Sequence, residues 1–289
     1  MSKINADFDH ILLRRRQDVL FATLNRPETR NALAPEVVAE LAHVVALAAT
    51  DDTVRALVLR GSQGFFSAGG NVGNFKSRLD ADASNGGDPV AARNREFGRF
   101  MQRLAALPVP VIAAVEGAAM GGGLGLACGA DIVLATRDAR FALSETSLGI
   151  IPAQIAPFVV ERLGHRVARR LGLSGERIQG DTALRLGMVD ELAADGEALD
   201  ELLAQWLGRI GACAPHANRV LKPLLQRCSR EDEDALLDDA ACRFAACMRD
   251  EGSEGIAAFR EKRPSAWRRE FSAAEVRAAQ AAPAASAAT

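Results

Sequence analysis

The chain has 289 residues, 48% of them hydrophobic, enough to bury a large core in one domain or two. Its 35 basic and 37 acidic side chains leave a formal charge of −2, which excludes the large basic field that draws nucleic acid or an anionic membrane. Every long apolar stretch is broken by charge, Gly or Pro, and MSKINADFDH lacks a signal-peptide core, so neither a membrane span nor export is expected.

ILLRR (11–15) and VLFATL (19–24) read as a β-hairpin around Arg16–Gln17–Asp18. NRPETRNAL then turns the chain, Pro35 suits a first helical turn, and Val37, Val38, Leu41, Val44, Val45 and Ala48 follow at three- and four-residue spacing, predicting an amphipathic helix. ALVLRG (56–61) is a buried strand, and strand, helix, strand implies a right-handed crossover with parallel pairing. Asp80 to Arg95, with ADASNGGDP, reads as a mobile loop. A second unit follows: VPVIAAVEG (109–117) as strand, GGGLGLACG (121–129) as helix, and DIVLAT with ARFAL (131–143) as strand, giving a layered α/β core of recurring ββα units. After about Glu145 the strand signals mostly stop. From Glu197 the apolar positions, including Leu199, Leu202, Leu203, Trp206, Leu207, Ile210, Val220, Leu221, Leu224 and Leu225, have helical spacing, predicting a helical region suited to packing or oligomerisation. These readings divide the chain into a core over 1–196, a helical region over 197–270 and a low-complexity tail over 271–289 that ends in disorder.

Five cysteines (128, 213, 228, 242, 247) form no C-x-x-C pair and four histidines are scattered, so reduced thiols, no metal and a cytoplasmic location are expected. The stretch GAAMGGGLGLACGAD (117–131) sets three glycines before a helix. Its plainer reading is a tight turn or close packing of backbone on backbone; its sharper one is free N–H groups at a helix start forming an anion site. The spacing of a phosphate loop is absent. A second glycine-rich turn, GSQGFFSAGGN (61–71), also follows a buried strand. One N–H from each turn, aimed at a single carbonyl oxygen, would make an oxyanion hole for a thioester becoming enolate-like.

FSAGGN, then GAAMGGGLGLACGAD about fifty residues later, ARFALSETSLGIIPA, and EGIAAFREKRPSAW near the end resemble the enoyl-CoA hydratase/isomerase (crotonase) family, from about Ile11 to Trp267. The resemblance implies a ββα spiral core with a C-terminal helical oligomerisation region, assembling as a homotrimer or a dimer of trimers. It implies Ala68 and Gly122 as oxyanion-hole donors, Gly69 and Gly121 beside them, and Glu145 in FALSETSLG as the carboxylate that moves protons at the acyl α- and β-carbons. By itself a Glu after a strand is an ordinary surface or helix-start residue; in an apolar pocket its pKa would rise. The implied partner is an acyl-CoA thioester, with coenzyme A part of the substrate and no cofactor. Arg26 and Arg30 are candidates for the phosphates, and Phe259 and Lys262 resemble positions that reach the adenosine end from a neighbouring subunit.

Two positions depart from the family pattern. Gly125 stands where straight-chain hydratases carry a second glutamate, and Asn71 where an acid is usual, the latter a helix cap rather than a catalyst. The segment SETSLGIIPAQIAPFVVERLG looks most like the 3-methylglutaconyl-CoA and isohexenylglutaconyl-CoA hydratases. Two like charges ~5 Å apart repel by roughly 3 kcal/mol at an effective dielectric of 20. Glycine at 125 would therefore suit an acyl chain bearing its own carboxylate, and would clear volume for a branch, although close helix packing is the plainer reading. The expected activity is hydration of an enoyl-CoA, probed against two alternatives: a double-bond isomerase, and a non-catalytic acyl-CoA-binding scaffold.

Overall fold

A computed structural model of the chain describes residues 8–70, 88–228 and 232–280. The predicted hairpin forms as β1 (Ile11–Arg16) and β2 (Val19–Leu24), paired antiparallel. Pro35 opens α1 (Pro35–Thr50), which buries Val37, Leu41, Val44, Val45 and Ala48 along one face, and the chain returns as β3 (Ala56–Gly61) parallel to β2. The polar stretch before residue 95 is not all loop. Asp88 caps a helix, its carboxylate accepting the Val90 and Ala91 N–H groups at 2.8 and 3.4 Å, and α2 runs Pro89–Ala105; residues 80–87 lie outside the described part.

The second unit is β4 (Val111–Val115), β5 (Ala118–Met120), α3 (Gly122–Cys128), β6 (Ile132–Thr136) and β7 (Arg140–Ala142). Beyond Glu145 come α4 (Ala156–Ser174), β8 (Arg177–Gln179), α5 (Gly180–Arg185) and β9 (Glu191–Ala193). The last two strands, three residues each, are too short to leave a periodic signal. Six strands form one sheet in the order β1-β2-β3-β4-β6-β9, parallel except for the hairpin, and β5-β7-β8 form a second.

Strands β3 and β4 are buried throughout because the large sheet is covered on both faces. Alternate residues serve separate cores. Leu57, Leu59, Val111 and Ala113 join α1 and α3, whereas Ala56, Val58, Ile112 and Ala114 join Leu199, Leu203 and Leu207 of α6 (Gly196–Ala212). That same cluster includes Val276 and Ala279 of α10 (Ala273–Gln280). The sequence reading of 271–289 as tail is thereby corrected for 273–280, and the boundary at 197 does not separate two packed bodies. Helices α7 (Pro215–Arg227), α8 (Glu233–Arg249) and α9 (Glu251–Glu261) complete the described chain, with Leu225, Phe244 and Phe259 exposed.

Single-residue bridges extend the small sheet toward the glycine turns, Ser67 pairing with Ala119 and Gly70 with Leu33. The two turns singled out in the sequence therefore lie side by side.

Candidate active site

The three consecutive glycines have three different reasons. Gly121 caps α3 at φ +48°, a backbone region that L side chains rarely adopt, and a Cβ there would sit 2.7 Å from Glu145 Oε1. Gly123 packs backbone on backbone, since its Cβ would lie 2.8 Å from the Ser67 carbonyl oxygen. Gly122 has room for a small side chain. A Cβ on it would make only ordinary contacts, 3.5 Å to Leu33 Cδ1, 3.7 Å to the Gly70 nitrogen and 3.8 Å to Phe97 Cζ. The Gly122 amide begins α3 and has no acceptor among the described residues.

The partner turn corrects the sequence reading. The Ala68 amide is engaged, donating to the Arg30 carbonyl at 2.9 Å. Gly69 is engaged as well: its N–H reaches Ser67 Oγ at 3.1 Å, and its carbonyl accepts the Leu33 N–H at 2.7 Å. With φ +85° and a would-be Cβ 2.4 Å from the Met120 carbonyl, Gly69 lets the two turns approach and is itself buried. The next amide, that of Gly70, has no acceptor among the described residues and lies on exposed backbone facing Gly122. Gly70 replaces Ala68 as the free donor opposite Gly122. Asn71 lies outside the described residues.

Glu145 starts a short 3-10 turn, Glu145–Leu148, separated from β7 by Leu143 and Ser144. Its Oε1 lies against Gly121, its Oε2 is buried with no hydrogen-bond partner among the described residues, and burial holds the carboxyl above its ordinary pKa. A buried acceptor without a donor is costly, on the order of 1–3 kcal/mol, and here that cost falls beside the glycine turn at Gly121.

Gly125 does not line open volume. A Cβ there would fall 2.2 Å from Ile155 Cγ2 and 2.5 Å from Ile155 Cβ, so the space beside it is filled by the residue that precedes α4. The expectation that Gly125 touches substrate and clears room for a branch is corrected: it is a packing glycine, and Ile155 is the residue that sequence reasoning missed. Nothing in spacing alone links 125 to 155.

Of the two candidate phosphate cations, Arg26 is occupied, with Nε 3.0 Å from Glu28 and Nη1 3.0 Å from Glu36, contacts that raise its pKa. Arg30 is exposed and lies over the Phe65 ring at 6.0 Å. Phe259 and Lys262 stand at the end of α9, Phe259 85% exposed. Among the described residues Asp9, His10 and Glu40 are grouped closely enough to hold a metal. Glu40, however, already accepts the N–H groups of Asp9 and His10.

A profile of the enoyl-CoA hydratase/isomerase family matches residues 14–270. The chain belongs to this family. It is 44% identical to the crystal structure of an enoyl-CoA hydratase/isomerase from Marinobacter aquaeolei, with a TM-score of 0.86 over 90% of this chain and 99% of that one. It is 32% identical to the 2,3-dehydroadipyl-CoA hydratase of Escherichia coli K12 over 88% of this chain and 96% of that protein. It is also 33% identical to the 1,2-epoxyphenylacetyl-CoA isomerase of the same organism, over 88% and 97%. The family's enzymes act on acyl-CoA, so the scaffold alternative falls away. The described residues contain no helix long and apolar enough to cross a membrane.

Proposed function

We propose that this family member adds water across the α,β double bond of an enoyl-CoA carrying a branched or glutaconyl-type acyl chain. The observation that carries the reading is the buried, unpartnered Oε2 of Glu145 beside the free amides of Gly122 and Gly70. Those amides hold the thioester oxygen as it gains charge. Glu145 takes a proton from water as the water oxygen bonds to Cβ and the double-bond electrons pass into the enolate. The protonated Glu145 then returns that proton to Cα, so one carboxyl serves both halves of the addition. No cofactor is needed, and coenzyme A enters with the substrate.

The dicarboxylic acyl group named in the Escherichia coli hydratase supports an acyl chain with its own carboxylate. A single carboxyl would equally move a proton between the α- and γ-carbons, and the relative named an isomerase favours keeping that second reading. A panel of straight-chain, branched and glutaconyl-type enoyl-CoAs, followed by loss of enoyl absorbance and by product mass, separates them. We expect a mass gain of one water with the carboxylated substrates; turnover with no mass change would establish isomerisation instead.

The exposed apolar side chains of Leu225, Phe244 and Phe259 support a homotrimer or dimer of trimers, with Phe259 and Lys262 reaching the adenosine end of a neighbour's coenzyme A. Light scattering tests the assembly. A cytoplasmic location agrees with cysteines that are unpaired in the described chain.

A further inference from the structure

We propose that Asn31 is a positioning residue for the carbonyl-polarising amides, a role that rests on the reading of Gly70 and Gly122 as the donors. Asn31 is 1% exposed and sits at φ +54°, a left-handed conformation that Asn tolerates better than most residues. From there it joins the NRPETRNAL turn to the FFSAGG turn. Its Nδ2 donates to the Phe65 carbonyl at 2.5 Å and the Ser62 carbonyl at 3.2 Å. Its Oδ1 accepts the Arg26 N–H at 2.8 Å, which fixes the amide's orientation. Its own carbonyl accepts the Ser67 hydroxyl at 2.8 Å, and Ser67 Oγ in turn accepts the Gly69 N–H.

The neighbours of Asn31 finish the clamp. Arg30 takes the Ala68 amide and Leu33 takes the Gly69 carbonyl, so contacts at Phe65, Ser67, Ala68 and Gly69 all run to residues 30–33. Each engaged peptide group fixes the plane of the next, and the first free amide is that of Gly70. Remove the Asn31 side chain and the Phe65 carbonyl loses its donor while the Ser62 carbonyl keeps only the Phe65 N–H at 3.3 Å, so the turn can slide relative to α3. Oxyanion donors act only within about 2.7–3.1 Å of the developing charge, and a displacement of ~1 Å can lower the rate ~10²-fold. Asn31 touches no reacting atom; it acts through Gly70.

The test uses Asn31→Gly, which keeps the left-handed backbone and deletes the bridge, and Asn31→Asp, which keeps the shape but turns the donor to Phe65 and Ser62 into an acceptor. Each purified variant is titrated with a 2,4-dienoyl-CoA, whose absorption moves to longer wavelength when its carbonyl is polarised, and assayed for kcat and KM. We expect the wild type to shift the spectrum. The variants should bind within ~3-fold of the wild-type Kd, lose at least about half of the shift, and lose ~10–10²-fold in kcat with KM little changed. A full shift with near-normal kcat overturns the proposal, as does parallel loss of binding and kcat with the shift intact. Should Asn31→Gly fail to fold, Asn31→Asp alone carries the comparison. No shift in the wild type itself overturns the reading of Gly70 and Gly122, and the role of Asn31 with it.

Discussion

Glu145 is held in a state that costs stability once it ionises. Burial raises its pKa, so the folded protein binds its proton more tightly than the unfolded chain does. Below the ordinary carboxylate range both states are protonated and the residue contributes nothing differential; as pH rises, the unfolded state ionises first and folding is penalised. We therefore expect Glu145→Gln to raise Tm at pH 7–8, with the gain vanishing as pH falls below the usual glutamate value, while kcat drops at least ~10²-fold. Melts across a pH series and a turnover assay on one preparation check both halves. In the wild type, kcat/KM should fall on acidification with a midpoint above that of an exposed glutamate. Gly122 offers a complementary case, because a methyl there meets nothing closer than 3.5 Å. Gly122→Ala should melt like the wild type yet lose ~10²–10³-fold in kcat by intruding on the thioester oxygen and its donor. Normal turnover in that variant would reduce the glycine to a turn.

The elements that frame the site were legible in unequal degree. The β1–β2 hairpin, α1, and the β4–α3–β6 unit follow from hydrophobic period, and Glu145 and Gly122 from their motifs. The shift from Ala68 to Gly70 was not legible, because which of several successive amides in an irregular turn stays free depends on carbonyls in a different turn, Arg30 above all. The same holds for Gly125, whose partner Ile155 stands before α4 and shares no local pattern with it. This pairing reverses the natural expectation that a glutamate at 125 would simply add an acid to the site. We expect Gly125→Glu alone to lower Tm sharply, since overpacking typically costs about 1–3 kcal/mol and this change adds a buried charge. Ile155→Ala in the same chain should recover part of the loss, a positive coupling measurable as a double-mutant cycle of melting free energies. Additive losses would show that the two side chains do not compete for one space.

At the scale of the whole molecule, the back of the large sheet is closed by α6 and α10 through a charged seam as well as through apolar contact. Asp200 of α6 meets Arg60 of β3 at 2.5 Å and Arg277 of α10 at 3.1 Å, and Arg60 also meets Glu116 at 2.6 Å. Alanine-rich composition hid α10 from the sequence reading; only Val276 and Ala279, three residues apart and fully buried, betray its inward face. Val276→Asp should remove about 2 kcal/mol of burial and add carboxylate desolvation, lowering Tm by several degrees while kcat per folded molecule stays near normal. An unchanged melt would return 273–280 to the status of a tail. The position of α10 also sets an order in time. Arg16 bonds the Ala278 carbonyl across 262 residues, and Gln17 bonds the Glu270 carbonyl across 253. At a synthesis rate of about 5–20 residues per second, roughly 13–50 s separate the emergence of the hairpin from that of its cover. Through that interval Val19 and Phe21 lack the α10 side chains that complete their cluster. A nascent chain of this protein thus keeps one side of that cluster uncovered until α10 arrives.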